Sequence, residues 1–204
     1  MGFYEDQVLP RLVDVLLSGK EFEALRARVA GRLEGEVLEV GFGSGRNVPH
    51  YPAGVKRVRA VDPAVVGRRL AGKRVEASPV PVEYVGLDGQ DLPLDDNSVD
   101  HVLTTWTLCT IPDVSRALGE IRRVLRPGGA LHFLEHGRST DAKVARWQDR
   151  LTPLQRRLAG GCHLNRPVVR LVSDAGLRVT SVDNFHVKGP RTFSTMYDGV
   201  AVKE

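Results

Sequence analysis

The sequence predicts an α/β protein built on a doubly wound, mostly parallel β-sheet. Short apolar segments alternate with amphipathic segments along most of the chain, which is the pattern of strand–helix–strand units. One apolar segment runs directly into a glycine-rich turn, as the first strand of a nucleotide-binding sheet does. The length of 204 residues suits a single domain.

Composition excludes several classes of protein. The most apolar stretch near the start, residues 12–17, is interrupted by Asp14 and is shorter than the about 20 residues that a spanning helix needs. Glu5 and Asp6 stand where a secretory signal would carry basic residues. The two cysteines of the chain cannot form a disulfide framework or a four-cysteine metal site. We therefore expect a reduced, cytoplasmic protein with no metal ligands.

The first 35 residues are expected to form a helical cover. Residues 4–33 are predicted to form two helices that are separated by a break at 18–20. The second helix carries an apolar stripe and an arginine-rich face that we expect to point outward. The stripe is Phe22, Leu25, Val29 and Leu33, the outward residues are Arg26, Arg28 and Arg32, and Gly35 is expected to end the helix.

Residues 36–204 are expected to form the main domain. Seven strands are predicted, at 36–40, 58–61, 80–87, 99–105, 130–134, 177–187 and 193–202. A helix is predicted at 114–125, and residues 138–175 are predicted to form a helical lid inserted into the domain. Within this lid, Pro153 is expected to open a new helix and Asn165 to cap another.

The strongest functional signal follows the first strand, in the segment EVGFGSG at 39–45. Gly41, Gly43 and Gly45 permit positive backbone φ angles and the close approach of a ligand. A dinucleotide-binding fingerprint would place a glycine at position 46, where this chain has an arginine. Glu39 precedes the turn, and a carboxylate there favours a cationic ligand such as a sulfonium-bearing amino acid.

Polar residues also follow the second and third strands. Asp62 closes the second strand, and at the carboxyl edge of the sheet its carboxylate can accept both hydroxyls of a ribose. An acid and exposed backbone at 88–90 can bind the edge of an adenine. Asn47, beside the glycine turn, and Pro63, after Asp62, are assigned to the same site.

The order of four motifs resembles the class I S-adenosylmethionine-dependent methyltransferases. They are VLEVGFGSG at 37–45, AVDP at 60–63, LDGQDLPLDDNSVD at 87–100 and LRPGG at 125–129. The resemblance covers residues 36–135 and implies S-adenosylmethionine as cofactor and a seven-stranded sheet with one antiparallel strand. It also implies the cofactor contacts: Glu39, Gly41, Gly43 and Gly45 around the methionine part, Asp62 at the ribose, Asp88, Gly89 and Gln90 at the adenine, and Thr105 and Trp106 beneath the sulfonium.

Three further segments are similar to the small thiol S-methyltransferases and to relatives that methylate quinones or lipids. They are LCTIP at 108–112, EHGR at 135–138 and GCHLNR at 161–166. This similarity implies a small, largely apolar acceptor, with an alkyl thiol as first choice and a quinone or lipid as alternatives. His136 is the predicted catalytic base, because an imidazole with a pKa of about 6.5 is mostly neutral at pH 7. The predicted acceptor-binding residues are Tyr4, Leu108 and Trp147.

Other interpretations stay open beside this one. A protein that holds S-adenosylmethionine without turnover fits the same residues, whereas the arginine at position 46 argues against a nicotinamide oxidoreductase. Cys109 and Cys162 are interpreted as structural residues. The segment 137–170 holds eight basic and two acidic residues, and we expect a solvated helix face there, with a membrane surface or an anionic substrate as the alternative. Nucleic acid is not an expected partner, because the basic residues are not interleaved with aromatic ones.

Overall fold

The chain folds into a seven-stranded sheet with helices on both faces. The structure is a computed structural model that describes residues 4–204, and the side chains of Glu5 and Asp6 lie outside the described part. The strands are β1 (Gly35–Val40), β2 (Val55–Val61), β3 (Val82–Gly86), β4 (Val99–Thr105), β5 (Leu125–His136), β6 (Arg178–His186) and β7 (Thr195–Val202). The α-helices are α1 (Leu9–Leu16), α2 (Lys20–Ala30), α3 (Val65–Glu76), α4 (Val114–Val124), α5 (Ala142–Leu158), α6 (Val168–Asp174) and α7 (Arg191–Ser194), and a π-helical turn at Tyr4–Val8 precedes them.

The order of the strands is β3-β2-β1-β4-β5-β7-β6. β7 pairs antiparallel with both β5 and β6, and the other pairings are parallel, so the predicted sheet with one antiparallel strand is confirmed. The order reverses between β1 and β4, and ligands of open α/β sheets bind in the crevice at the carboxyl ends of such strands. The topology therefore brings the glycine turn after β1 next to the residues that follow β4.

Apolar residues are buried on both faces of the sheet, which is why the central strands are almost continuously apolar. On one face, Leu118 and Ile121 of α4 and Val172 of α6 pack against the strands. On the other face, Val29 of α2 and Ala71 of α3 do so. These packed helices hold the carboxyl edge of the sheet in one arrangement.

Of the three arginines that were expected to face outward, Arg28 and Arg32 are exposed and Arg26 is buried. Arg26 is 6% exposed and points toward the sheet. Arg32 forms two hydrogen bonds, of 2.7 and 3.1 Å, with the buried carboxylate of Asp198 on β7. Arg28 contacts the same carboxylate at 2.6 Å. The prediction was therefore wrong for Arg26, whereas Arg28 and Arg32 stay exposed and pair with a buried acid that needs cationic partners.

The end of α2 also differs from the prediction. The helix ends at Ala30, with Gly31 as its capping residue. Gly35 instead begins β1 with a φ of +64°, and a Cβ at this position would lie 2.3 Å from the Asp100 carboxylate. The glycine is therefore needed at the start of the strand, where the chain turns into the sheet.

The segment 138–175 contains two helices, and their bounds differ from the predicted ones. α5 continues through Pro153 without a break. The buried Gln148 amide anchors it by donating to the carbonyls of Gly137 and Thr192, at 3.0 and 3.2 Å, and this tertiary contact outweighs the local start signal. Asn165 caps no helix, because its amide donates to Asp149 and α6 begins only after Pro167.

Several strand bounds shift as well. β2 begins at Val55 rather than at 58, and β5 begins at Leu125, so that the Pro-Gly-Gly segment lies inside its bounds. A register shift between Val99 and His101 of β4 accommodates this irregular part of β5. Phe193 belongs to α7, and β7 begins only at Thr195.

Six of the eight basic residues of 137–170 are exposed, as expected of a solvated surface, and the exceptions are Arg138 and Arg166. Arg166 is 8% exposed, and its guanidinium donates to the carbonyls of Leu108 and Ile111. Arg138 pairs with Asp149 at 2.6 Å. Contact of the other arginines with a membrane surface stays a prediction. No helix in the described residues is both long and apolar enough to span a bilayer.

Candidate active site

The glycine turn after β1 forms one wall of a cleft at the carboxyl edge of the sheet. Gly41 has a φ of +80°, and a Cβ there would lie 1.9 Å from the Thr107 hydroxyl oxygen. No other residue fits this position, so the turn can pass directly beneath the residues that follow β4. The backbone N–H of Gly43 donates to Asp62 Oδ2 at 2.7 Å, which joins the turn to the end of β2.

Asp62 lies in the cleft with both oxygens already engaged by backbone groups. Its second oxygen accepts from the N–H of Ala64 at 2.7 Å. Burial raises the pKa of its carboxyl, and the two backbone hydrogen bonds oppose this shift. Asp62 and Pro63 both line the cleft, in the position predicted for a ribose contact.

Three of the predicted cofactor residues lie behind the cleft rather than on its surface. Glu39 is 1% exposed and accepts hydrogen bonds from Asn47, at 2.9 Å, and from the Tyr51 hydroxyl. Burial raises the pKa of Glu39 to about 7. Glu39, Asn47 and Gly45 do not line the cleft. In this structure, Glu39 and Asn47 support the glycine turn from below.

Arg26 is a cleft residue that the sequence analysis did not identify. Its guanidinium donates to Asn47 Oδ1 at 3.1 Å and to the Thr105 hydroxyl at 3.2 Å, and burial lowers its pKa to about 10. Within the described part of the chain, its buried Nε has no hydrogen-bond partner. The signal was present in the sequence, because Arg26 follows Phe22 by four residues and so shares its apolar stripe.

The loop after β3 forms the opposite wall of the cleft. Gln90 donates to Asp88 Oδ1 through both its backbone N–H, at 2.8 Å, and its side-chain amide, at 2.9 Å. The hydrogen bonds from Gln90 lower the pKa of Asp88 below its usual value. Asp88, Gly89 and Gln90 all line the cleft, and their contact with an adenine stays a prediction.

The N-terminal helices close the cleft from above. Val13 and Asp14 of α1 and Leu17, directly after it, line the cleft together with Arg26 of α2. Asp14 accepts from the Ser44 hydroxyl at 2.5 Å and from Arg46 Nε at 2.8 Å. The acid that interrupts the apolar run of the sequence therefore ties α1 to the glycine turn.

A second cavity, of 680 Å³, adjoins the cleft, whose own volume is 410 Å³. Its walls are mostly apolar. They include Leu9, Leu12, Leu16, Phe22, Leu158, Leu164, Phe193 and Met196. The residues that line both spaces are Val13, Leu17, Trp106, Thr110 and Gly160.

Trp106 stands where the two spaces meet. It follows β4 with a φ of +51°, a left-handed conformation that is uncommon for a bulky residue. The backbone N–H of Trp106 donates to the Leu134 carbonyl at 2.9 Å. The Trp106 ring packs edge-on against the Phe22 ring, with 5.7 Å between the ring centroids. Trp106 and Thr105, which were predicted to lie beneath the sulfonium, both line the cleft.

Three side chains of the types that bind metal ions meet in the wall of the second cavity. His136 Nε2 lies 3.0 Å from Cys162 Sγ, and the donor atoms of Cys109, His136 and Cys162 lie within 4.8 Å of one another. Hydrogen bonds from the Cys109 thiol and from His136 lower the pKa of Cys162. The hydrogen bond between the two cysteines and burial together raise the pKa of Cys109. Burial alone would lower the pKa of His136, but the adjacent Cys162 sulfur raises it above its usual value. The predicted base thus faces the second cavity with its Nε2 already engaged.

The predicted acceptor residues fall in different places. Tyr4 lines the second cavity, and its hydroxyl donates to the Leu158 carbonyl at 2.9 Å. Leu108 is 1% exposed in the core and lines neither space. Trp147 is 55% exposed on α5 and also lines neither, because its neighbour Gln148 takes the buried face of that helix. Of the three, the structure brings only Tyr4 to a cavity.

Known proteins resemble this chain in both sequence and fold. The sequence profile of the family described as "Methyltransferase domain" matches residues 38–133. The human thiol S-methyltransferase TMT1A is 31% identical over 98% of this chain and 81% of its own length. Human thiol S-methyltransferase TMT1B is 33% identical over 77% of this chain and 70% of its own. The solved structure of an S-adenosylmethionine-dependent methyltransferase from Aquifex aeolicus superposes with a TM-score of 0.66 at 20% identity, over 96% of this chain and 98% of that one.

Proposed function

The chain belongs to the class I S-adenosylmethionine-dependent methyltransferases, and we propose that it methylates the sulfur of a small, largely apolar thiol. One observation carries the choice of acceptor: a mostly apolar cavity of 680 Å³ meets the cofactor cleft at Trp106. A cavity of this kind takes a small apolar molecule and leaves one end of it facing the cleft. The human relatives named above are thiol S-methyltransferases, which agrees with this proposal.

The cleft fits S-adenosylmethionine on two observations. The glycine turn and the loop at 88–90 enclose the cleft between them, and within the described residues the buried Nε of Arg26 is a donor without a partner. In our proposal Arg26 binds the carboxylate of the cofactor, Asp62 its ribose hydroxyls, and the loop at 88–90 its adenine. The cleft is lined by the acids Asp62 and Asp88 as well as by Arg26, so it offers partners for both the cationic and the anionic parts of the cofactor.

When bound, S-adenosylmethionine supplies a methyl group that is activated by a positively charged sulfur. The residues of the chain then have two tasks. Trp106 and Thr110, which line both spaces, hold the acceptor end in line with the cleft. Val13 of α1 and Leu17, directly after that helix, cover the junction and exclude water from it.

The cavity favours a thiol over an amine. Among the described side chains that line it, which leave out those of Glu5 and Asp6, no carboxylate is present to bind a cationic amine. Its polar side chains include Cys109, His136, Gln155 and Cys162, and these suit a soft or neutral nucleophile.

An acceptor panel tests the proposal. The protein is incubated with methyl-labelled S-adenosylmethionine and an alkyl thiol, a quinol or a phospholipid in turn. We expect the labelled thioether as the main product, and no product from an Asp62→Ala variant that does not hold the cofactor. Turnover of the quinol or the phospholipid alone would contradict the thiol proposal, and binding of the cofactor without turnover of any acceptor would favour a non-catalytic binding protein.

A further inference from the structure

Cys109, His136 and Cys162 come from three separate parts of the chain, and the fold brings them to one point. Cys109 lies in the loop after β4, His136 at the end of β5, and Cys162 in the loop after α5. The two loops are joined there, because the His163 N–H donates to the Cys109 carbonyl at 2.9 Å. The cluster is therefore a product of the tertiary fold rather than of a local sequence motif.

The cluster has the composition of a transition-metal site. Two thiol sulfurs and one imidazole nitrogen are the donors that Zn²⁺ and similar ions prefer. Tetrahedral coordination at ordinary bond lengths places such donor atoms roughly 3.5 to 3.8 Å apart. The three atoms already lie within 4.8 Å of one another, so small side-chain rotations bring them to this geometry. Both thiols are largely buried, so the protein encloses the site on the side away from the cavity.

The coordination would be incomplete with protein ligands alone. The described residues supply three donors, and catalytic zinc sites likewise have three protein ligands and one open position. All three side chains line the second cavity, so the open position faces the space that we assign to the acceptor.

We propose that Cys109, His136 and Cys162 bind one Zn²⁺ ion and that the acceptor thiol takes its fourth position. The first half of this proposal stands on the cluster alone, and the second half rests on the proposed function. In this arrangement His136 coordinates the ion through Nε2, in place of the proton-accepting role that the sequence suggested. The buried cysteines are then ligands rather than structural residues.

The ion would activate the thiol by stabilising its deprotonated form. The acceptor sulfur loses its proton to solvent when it binds the ion in place of water. A bond then forms between this sulfur and the methyl carbon, while the bond from that carbon to the sulfonium sulfur breaks and its electron pair neutralises the positive charge. The resulting thioether is neutral and a weak ligand, so water displaces it.

Cobalt titration tests the metal site directly. Chelator-treated, reduced protein is titrated with CoCl₂, and ZnCl₂ is then added as competitor. We expect a thiolate-to-cobalt charge-transfer band that saturates at one ion per chain and disappears when Zn²⁺ replaces Co²⁺. Cys109→Ser and Cys162→Ser should each weaken binding at least 100-fold, whereas His186→Gln, at a histidine outside the cluster, should not change it. Binding of S-adenosylmethionine, whose cleft none of the three residues lines, verifies that the variants are folded.

Two results would overturn the site: the absence of the charge-transfer band in wild type, or equal affinity in the Cys109→Ser/Cys162→Ser double variant. Addition of an alkyl thiol to the cobalt protein should shift its visible absorption bands, and an unchanged spectrum would overturn the acceptor half. Thiol turnover at full rate by metal-free protein would also overturn that half while leaving the proposed function intact. A bound ion with no thiol turnover would support the site and contradict the proposed function instead.

Discussion

The guanidinium of Arg26 on α2 lies 4.6 Å from the centre of the Trp106 ring at the end of β4. The N-terminal cover therefore contacts the residue at which the cofactor cleft and the second cavity meet. A cation over an indole face is attracted by the ring, more strongly where water is excluded. The cover is thus part of the site, and removing it would open both spaces.

Arg26→Ala should weaken the binding of S-adenosylmethionine about 10- to 100-fold. The variant loses a charged donor for the cofactor carboxylate, and such hydrogen bonds contribute about 1.5 to 3 kcal/mol. Calorimetry measures the dissociation constant, with Arg69→Ala, an exposed arginine on α3, as the matched control. Equal affinity in both variants would show that the carboxylate is bound elsewhere.

Asp62→Ala should weaken cofactor binding by roughly 2 to 4 kcal/mol, because two charge-assisted hydrogen bonds to the ribose are lost. Asp62→Asn retains one acceptor oxygen and should lose less. The same calorimetric titration, with the exposed acid Asp95 changed to alanine as control, checks this order. If Asp62→Ala bound as tightly as wild type, the ribose assignment would be wrong.

Asp14→Ala should release α1 from the glycine turn. The variant loses hydrogen bonds to Ser44 and Arg46, at 2.5 and 2.8 Å. We expect faster amide hydrogen exchange over residues 9–16 and weaker protection by the cofactor there. Arg11→Ala, on the same helix, should exchange as wild type does. An identical exchange pattern in the two variants would show that Asp14 does not hold α1 against the glycine turn.

Stability should respond to pH through Glu39. The folded pKa of about 7 lies above the reference value of 4.5, so between these values the folded state binds more protons than the unfolded state. The Glu39 contribution to the free energy of unfolding therefore falls as pH rises through this window, by at most about 3 kcal/mol. Glu39→Gln lacks this term, so its stability relative to wild type should increase from pH 5 to pH 8. Urea denaturation at both values measures the difference, and parallel profiles would contradict the prediction.

The sequence predicts the sheet and the order of the cofactor motifs because both depend on local signals. The glycine turn, Asp62 and the loop at 88–90 each follow a strand, and a parallel sheet brings their carboxyl ends to one edge. The continuous helix at Pro153 was missed for the opposite reason, since contacts of Gln148 with distant carbonyls decide it.

The cluster in the wall of the second cavity was likewise not predicted, because contacts between distant parts of the chain bring its residues together. Cys109, His136 and Cys162 are separated by 27 and 26 positions, and this spacing does not indicate that their side chains meet. Arg26 was assigned to the wrong face, because a charged residue within an apolar stripe is usually exposed. Its role became visible only with the partners that surround it.

The most direct test of the central claim is to locate the transferred methyl group after a single turnover. Wild-type protein is mixed with S-adenosylmethionine that carries a trideuterated methyl group and with an alkyl thiol, and the products are analysed by mass spectrometry. We expect the trideuteromethyl thioether and an equal amount of S-adenosylhomocysteine. Formation of S-adenosylhomocysteine without label on sulfur, or no consumption of the cofactor at all, would contradict it.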